Sequence, residues 1–241
     1  MKYWIQILLF IFSAFNSFAN NNIIFDKAND LYRSQKYDSS IILYKQMLQD
    51  NYSDPYLYYN LGNAYYQTHQ IGLSIWSYEK AIQLKPQKEF TDNLRLAQKR
   101  IKENIQSVDD IFFIRWWKNT YKLMSVNQWA FVALILFLFG MTFVFLQTLK
   151  QKIFISKTVL VILFISSFIS LSFAFVRFYN NTYHHYGIIT TPDTEFLMNK
   201  QKILLSEGIK VQFLSQNKDQ YTVQLPDGRI GTIKKSAYKK I

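Results

Sequence analysis

The sequence predicts a multi-domain membrane protein with three parts in series: an all-α solenoid of helix–turn–helix repeats, a two-helix transmembrane hairpin and a small all-β barrel. Three observations point there. Laying residues 21–54 on residues 55–88 brings small and apolar side chains into register at an offset of 34, the length of a helical-hairpin repeat. Residues 129–149 and 159–176 are uncharged throughout, and each run is long enough to cross about 30 Å of hydrocarbon. Beyond Gly187 the pattern changes to alternating apolar and polar residues with an Asp-Gly turn among them.

The N-terminus stands apart from all three. Lys2 precedes an apolar stretch over residues 4–15, and Ser17-Phe18-Ala19 places small residues at a spacing of two. That is the pattern of an export signal covering residues 1–19, with cleavage expected after Ala19. The alternative is an uncleaved anchor, although a stretch of twelve mostly apolar residues is too short to span a bilayer comfortably. Either way the repeats emerge on the translocated side. The chain has no cysteine, so the exported part rests on packing without disulfides, and thiolate metal sites are excluded.

Residues 20–106 form the repeat region. In the second unit the first helix carries Tyr58, Leu61, Gly62, Tyr65 and Tyr66; the second carries Ser74, Tyr78 and Ala81, and Pro86 follows. Gly62 and Ser74 are small where the two helices of a unit approach closely. Leu61, Tyr65 and Tyr78 fill the space between units, and Pro86, which lacks an N–H, cannot continue the helix. The first unit aligns as Ala28 on Gly62, Leu31 on Tyr65, Tyr32 on Tyr66, Ser40 on Ser74 and Tyr44 on Tyr78, with Met47 in place of Ala81. A lone helix over residues 89–105, with Leu94, Ala97 and Ile101 on one face, is expected to cap the stack. These residues resemble the tetratricopeptide repeat. The resemblance implies that the first helix of each unit lines a concave, partner-binding face. Phe25, Asn29 and Tyr32 would lie there beside Tyr56, Tyr59, Asn60, Asn63 and Tyr66. Aromatic rings with a polar edge make good anchors for a partner; alternatively the tyrosines simply cover the groove. Asn29 and Asn60 match two asparagines with which relatives clamp a C-terminal carboxylate, but Phe25, Phe90 and Leu94 stand where the clamp needs Lys or Arg. The expected ligand is therefore an apolar, aromatic-tolerant segment and not an acidic tail.

Residues 107–128 form an aromatic, basic linker. Arg115, Lys118 and Lys122 share a helical stripe with Asn119, and Trp116, Trp117 and Trp129 supply interface aromatics. Such a helix suits the lipid headgroup region; packing under the capping helix is the alternative. The transmembrane helices are expected over residues 129–149 and 159–178, joined by a cytoplasmic loop over residues 150–158 whose Lys150, Lys152 and Lys157 favour that side. Neither uncharged run holds an ionisable residue that would mark an ion or substrate path. Ser166, Ser170 and Ala174 recur every four residues, a spacing that lets the second span close on the first near Gly140, or on a partner's helix.

The formal net charge of +12 is unevenly placed. Residues 20–110 hold eleven basic and eleven acidic side chains, whereas residues 111–183 hold seven basic and none acidic. Most of the excess therefore sits beside the apolar runs, where anionic lipid, and not nucleic acid, is the expected counter-charge. No catalytic constellation is legible. His184-His185 has no carboxylate nearby, the seven glycines form no phosphate cradle, and no metal or cofactor is expected.

The last part, residues 184–241, alternates over Ile209–Phe213 and again over Tyr221–Leu225, turns at Pro226-Asp227-Gly228-Arg229, and resumes at Ile230. With Glu207-Gly208-x-Lys210-Val211 ahead of them, these strands resemble a bacterial SH3-like domain. Thr232 and Tyr221 replace two tryptophans usual in that family. The resemblance implies a module for cell-wall peptide (peptidoglycan) or protein segments; docking onto its own chain is equally open. The whole order, together with Asp92-Asn93-Leu94-x-Leu96-Ala97, is similar to the BatE-type proteins of the Bacteroides aerotolerance group. That similarity implies a non-enzymatic inner-membrane scaffold of a Bacteroidetes bacterium, with both soluble parts in the periplasm. Its implied partners are membrane proteins with von Willebrand A domains and, through them, a MoxR-type ATPase.

Overall fold

A computed structural model describes residues 22–103, 105, 111–149, 156–183, 185–199 and 201–241. The expected export signal, Lys150, Lys152, Asp109, Asp110 and His184 lie outside the described residues. The fold is helical with a C-terminal antiparallel sheet, and it divides into two compact units. Met1–Ser107 and Tyr186–Ile241 make the first, and Val108–His185 makes the second.

The first unit opens with α1 (residues 22–33), α2 (Tyr37–Gln49), α3 (Pro55–Gln67), α4 (Ile71–Leu84) and α5 (Lys88–Gln98). The offset of 34 is visible atom by atom. The Ser40 hydroxyl donates to the Ala28 carbonyl and the Ser74 hydroxyl to the Gly62 carbonyl, both at 2.9 Å. The Tyr44 hydroxyl donates to Asn29 Oδ1 and the Tyr78 hydroxyl to Asn63 Oδ1, both at 2.6 Å. Gln35 and His69 turn each hairpin with φ of 60° and 61°. Each helical pair is thus fixed by the same three devices. At Gly62 the Tyr78 ring lies closer than a Cβ would allow, 2.7 Å from where one would stand. Asp54 starts α3 by accepting from the Tyr56 and Leu57 amides ahead of Pro55 at the first turn. Tyr44, Met47, Leu57, Leu61, Ile75, Tyr78 and Phe90 form the largest buried side chains of this core.

The capping helix α5 ends earlier than the sequence suggests. It stops at Gln98, and tighter bonds from the Arg100 and Ile101 amides to the Ala97 and Gln98 carbonyls close it. Ile101 thereby leaves the helix and packs against both hydrophobic cores of the unit.

The sheet has seven strands: β1 (His185–Ile189), β2 (Thr194–Met198), β3 (Gln201–Leu205), β4 (Lys210–Gln216), β5 (Gln220–Gln224), β6 (Ile230–Lys234) and β7 (Tyr238–Lys240). Their order is β3-β2-β6-β5-β4-β1-β7, an open antiparallel sheet with β3 and β7 at its edges. The expected turn after Leu225 is present: Gly228 adopts φ +90°, and Leu225 and Arg229 close it at 2.9 Å. Phe196, Leu205, Val211, Val223 and Ile233 fill the sheet's core.

The sequence leaves open whether the C-terminal domain docks on its own chain; the repeats and the sheet pack as one body. Ile188 of β1 belongs to the helical core. Glu207 Oε2 accepts from the Gly72 amide at 2.8 Å, at the N-terminus of α4 where negative charge is favoured. Trp76 Nε1 donates to the Lys240 carbonyl at 2.8 Å, Lys239 Nζ lies 3.8 Å above the Trp76 ring, and Lys210 pairs with Glu79 at 2.9 Å. All of these helical contacts come from α4, the second helix of its pair, so the face formed by the first helices is not the docked one.

The second unit contains α6 (Phe112–Lys122), α7 (Val126–Thr148) and α8 (Lys157–Tyr183). Ser125 caps α7 in a reciprocal box with Gln128. Both α7 and α8 are long and apolar enough to cross a membrane, and only 11% and 22% of their most apolar windows are buried inside the protein. A core helix of a water-soluble fold would be mostly covered. Small residues join the pair: Ser170 and Ala174 are buried as expected, but Ser167 and not Ser166 is the buried serine beside them, its hydroxyl donating to the Ala133 carbonyl at 2.8 Å, and Phe164 fills the space left by Gly140.

Candidate functional site

The first helices of the repeats bring the predicted groove residues onto one face. Asn29, Tyr32, Asn60 and Asn63 line a cleft of about 260 Å³, together with Arg33 and Tyr44. Its polar wall is internally ordered. Asn29 Oδ1 accepts from the Tyr44 hydroxyl and from Asn60 Nδ2, the latter at 2.9 Å. Asn63 Oδ1 accepts from the Tyr78 hydroxyl and from Asn93 Nδ2, the latter at 3.0 Å. Both carbonyls are therefore saturated, and among the described residues no acceptor is bonded to the amide N–H groups of Asn29 and Asn63. The cleft thus offers hydrogen-bond donors. Arg33 adds a cation, held at 2.9 Å by Asp30 with both side chains well exposed.

The remaining predicted residues fall into two groups. Tyr56 and Tyr66 are accessible, and each is steadied by a cation. Lys85 Nζ lies 5.6 Å from the Tyr56 ring centre, and the Arg100 guanidinium lies 5.7 Å from that of Tyr66. Phe25 is half-buried against Tyr44. Tyr59 is a correction. It is 9% exposed, stacks on Phe90 at 4.7 Å, donates to Glu89 at 2.7 Å and accepts from Asn93 at 2.9 Å. Its ring joins α3 to α5 and is no accessible anchor. Burial, helped by the bond to Glu89, pushes its hydroxyl up to about 12. Burial alone does the same for Tyr65, and it dominates at Tyr44, also raised to about 12. Phe90 and Leu94 are buried in the helical core.

Sequence reasoning missed Arg33, Asn93 and the supporting role of Tyr44 and Tyr78. The signal was present for the last two, because both sit at the shared repeat position fifteen residues beyond Asn29 and Asn63.

In the second unit the aromatic linker residues divide. Trp117 and Trp129 turn inward, with ring centres 4.7 and 4.9 Å from Phe173. Trp129 Nε1 also donates to the Tyr121 carbonyl at 3.0 Å. These two therefore fix α6 to α7 and α8. Trp116 stays exposed beside Phe113 and Phe112, and Arg115 and Lys122 are exposed while Lys118 is half-buried. Asn180 donates to the buried Tyr121 hydroxyl at 3.1 Å. Arg177 Nη1 donates to the carbonyls of Lys122 at 2.7 Å and Tyr121 at 3.4 Å, closing the C-terminal end of α6.

Comparison of the chain with models of known protein families and with curated proteins returns no match.

Proposed function

We propose that this protein is a membrane-anchored, non-enzymatic scaffold whose tetratricopeptide-type groove holds a segment of another protein. The carrying observation is that the helical repeats and the sheet form one body although the chain between them runs through two apolar helices. Such a body calls for an even number of crossings, with both soluble parts on one side of the membrane, and the export-type N-terminus supports the periplasm as that side. The groove face is left open because the sheet docks through α4. The donors of Asn29 and Asn63 suit the backbone carbonyls of an extended segment, and Tyr32, Tyr56 and Tyr66 suit its apolar side chains. The sheet, whose strand order supports an SH3-like relationship, serves first as a brace for the repeats. The arrangement supports membership of the BatE-type group, with von Willebrand A-domain membrane proteins as partners, a MoxR-type ATPase behind them, and aerotolerance or envelope stress as the setting.

The test uses the full chain in cells. A photo-reactive residue at Tyr66 should cross-link a membrane protein, and Arg33→Glu with Tyr56→Ala should lose that adduct while melting as wild type does. An undiminished adduct removes the groove from the account. Because the chain lacks cysteine, Ser34→Cys and Lys218→Cys report sidedness directly. Both should react with an impermeant maleimide once the outer layer is permeabilised; labelling of one without the other would break the shared-side argument.

A further inference from the structure

We propose that Arg177 and Lys122 form a binding site for the phosphate of an anionic phospholipid at the foot of the α7–α8 hairpin. The proposal rests on α7 and α8 crossing a bilayer. Its first support is positional. Arg177 lies twenty residues beyond Lys157, the first residue of α8; at about 1.5 Å per residue that is roughly 30 Å, the thickness of the hydrocarbon layer. With Lys157 at one boundary, Arg177 stands at the other. Trp117 and Trp129 gather around Phe173 one turn away, and Trp129 donates to the Tyr121 carbonyl; these are amphipathic aromatics that favour such a boundary.

The second support is orientation. Nη1 is committed to the Lys122 and Tyr121 carbonyls, which fixes the plane of the guanidinium. Among the described residues no acceptor is bonded to Nη2 or Nε. A guanidinium presents a rigid fork of donors that matches phosphate oxygens two at a time. Lys122 is exposed, and its own carbonyl is the 2.7 Å partner of Arg177, so a second cation rises from the same point.

The third support is charge. From Ile111 to Tyr183 the sequence holds seven basic residues and no acidic one. The carbonyls at the end of α6 offset about half a charge at most. A cation at the edge of hydrocarbon needs a full counter-charge, and the source at that depth is the headgroup layer. Leu123 and Met124, exposed beside Lys122, offer apolar surface for the acyl chains of the same lipid.

The test uses the whole protein. It is first reconstituted in vesicles and washed in alkaline carbonate, then studied in detergent by native mass spectrometry with phosphatidylglycerol or phosphatidylcholine. Phosphatidylglycerol should remain bound in preference to phosphatidylcholine. Arg177→Gln should weaken its retention about tenfold or more, the worth of a charge-assisted hydrogen bond. Lys122→Gln, whose side chain bonds to no other group among the described residues, should weaken it severalfold, Arg177→Lys should restore part of the loss, and Lys157→Gln should leave it unchanged. Free glycerol phosphate should not displace the lipid; displacement at equal concentration would overturn the lipid assignment in favour of a soluble phosphate. Retention by Arg177→Gln and Lys122→Gln equal to wild type overturns the site while leaving the hairpin in the membrane. Release of the wild type by carbonate overturns both.

Discussion

Replacing Trp76 tests whether repeats and sheet are one body. Its side chain is 7% exposed, meets Tyr58 edge-on with ring centres 5.7 Å apart, carries Lys239 at 3.8 Å and donates to Lys240 at 2.8 Å. Truncating a buried tryptophan to alanine costs about 3–5 kcal/mol. The lost hydrogen bond is worth about 1 kcal/mol and the cation–π contact about another, partly included in the first figure because the terms are not additive. About 4 kcal/mol for Trp76→Ala is a fair expectation, and Trp76→Phe, which keeps most of the ring but not the N–H, should lose about 1–2 kcal/mol. At roughly 2–4 °C per kcal/mol for a unit of this size, the alanine variant should melt roughly 8–16 °C lower. The assay is thermal and urea unfolding of the full chain in detergent, followed by far-ultraviolet dichroism for the helices and by exchange protection of the β4 and β5 amides for the sheet. Both signals should fall together and shift together. A helical transition that stays in place in Trp76→Ala while the sheet is released, or no shift in either, would refute the single-body reasoning.

Three other outcomes follow from the same geometry. Asn63→Ala removes the shared acceptor of Tyr78 and Asn93 and should destabilise by about 1–3 kcal/mol, measured as a lower urea midpoint with an unchanged slope. Gly62→Val drives a side chain into the Tyr78 ring and should cost about 1–3 kcal/mol or more by overpacking, read as a fall in melting temperature. Tyr44, Tyr59 and Tyr65 are each raised to about 12, so the folded state keeps protons that unfolded tyrosines release near pH 10. Stability is therefore full below about pH 10 and should fall as pH rises from about 10 to about 12; Tyr65→Phe should flatten that decline in a melting series, and an identical decline would contradict the burial assignment.

The repeat was legible because its constraints are local. Ser40 and Ser74, Tyr44 and Tyr78, and the Gln35 and His69 turns recur at one offset, and each is satisfied within a single helical pair. The strands at β4, β5 and β6 announced themselves by alternation and by the Asp227-Gly228 turn. β7 has three residues and β1 buries Gly187, Ile188 and Ile189 in succession, Ile188 in the helical core, so no clean alternation marked either. That the sheet could dock on its own chain was open from the sequence, but where it docks was not legible, for a different reason. It depends on Gly72 meeting Glu207 and Trp76 meeting Lys240 across 135 and 164 residues, and nothing in either segment's own pattern requires a partner so distant. Tyr59 was misread because a tyrosine on the groove helix has the same sequence signature whether its ring points outward or stacks on the next repeat.

The last two residues of β7 and the terminal Ile241 complete the surface around Trp76. The repeats consequently cannot finish folding when their own codons have been read. About 138 further residues follow Glu103, including both apolar helices, and at about 5–20 residues per second their synthesis takes roughly 7–28 s. During that interval an indole and the flank of α4 wait uncovered for a strand not yet made. Completion of the first unit is thus coupled to synthesis of the chain beyond α7 and α8: a truncated or stalled chain leaves an apolar face of the repeats uncovered.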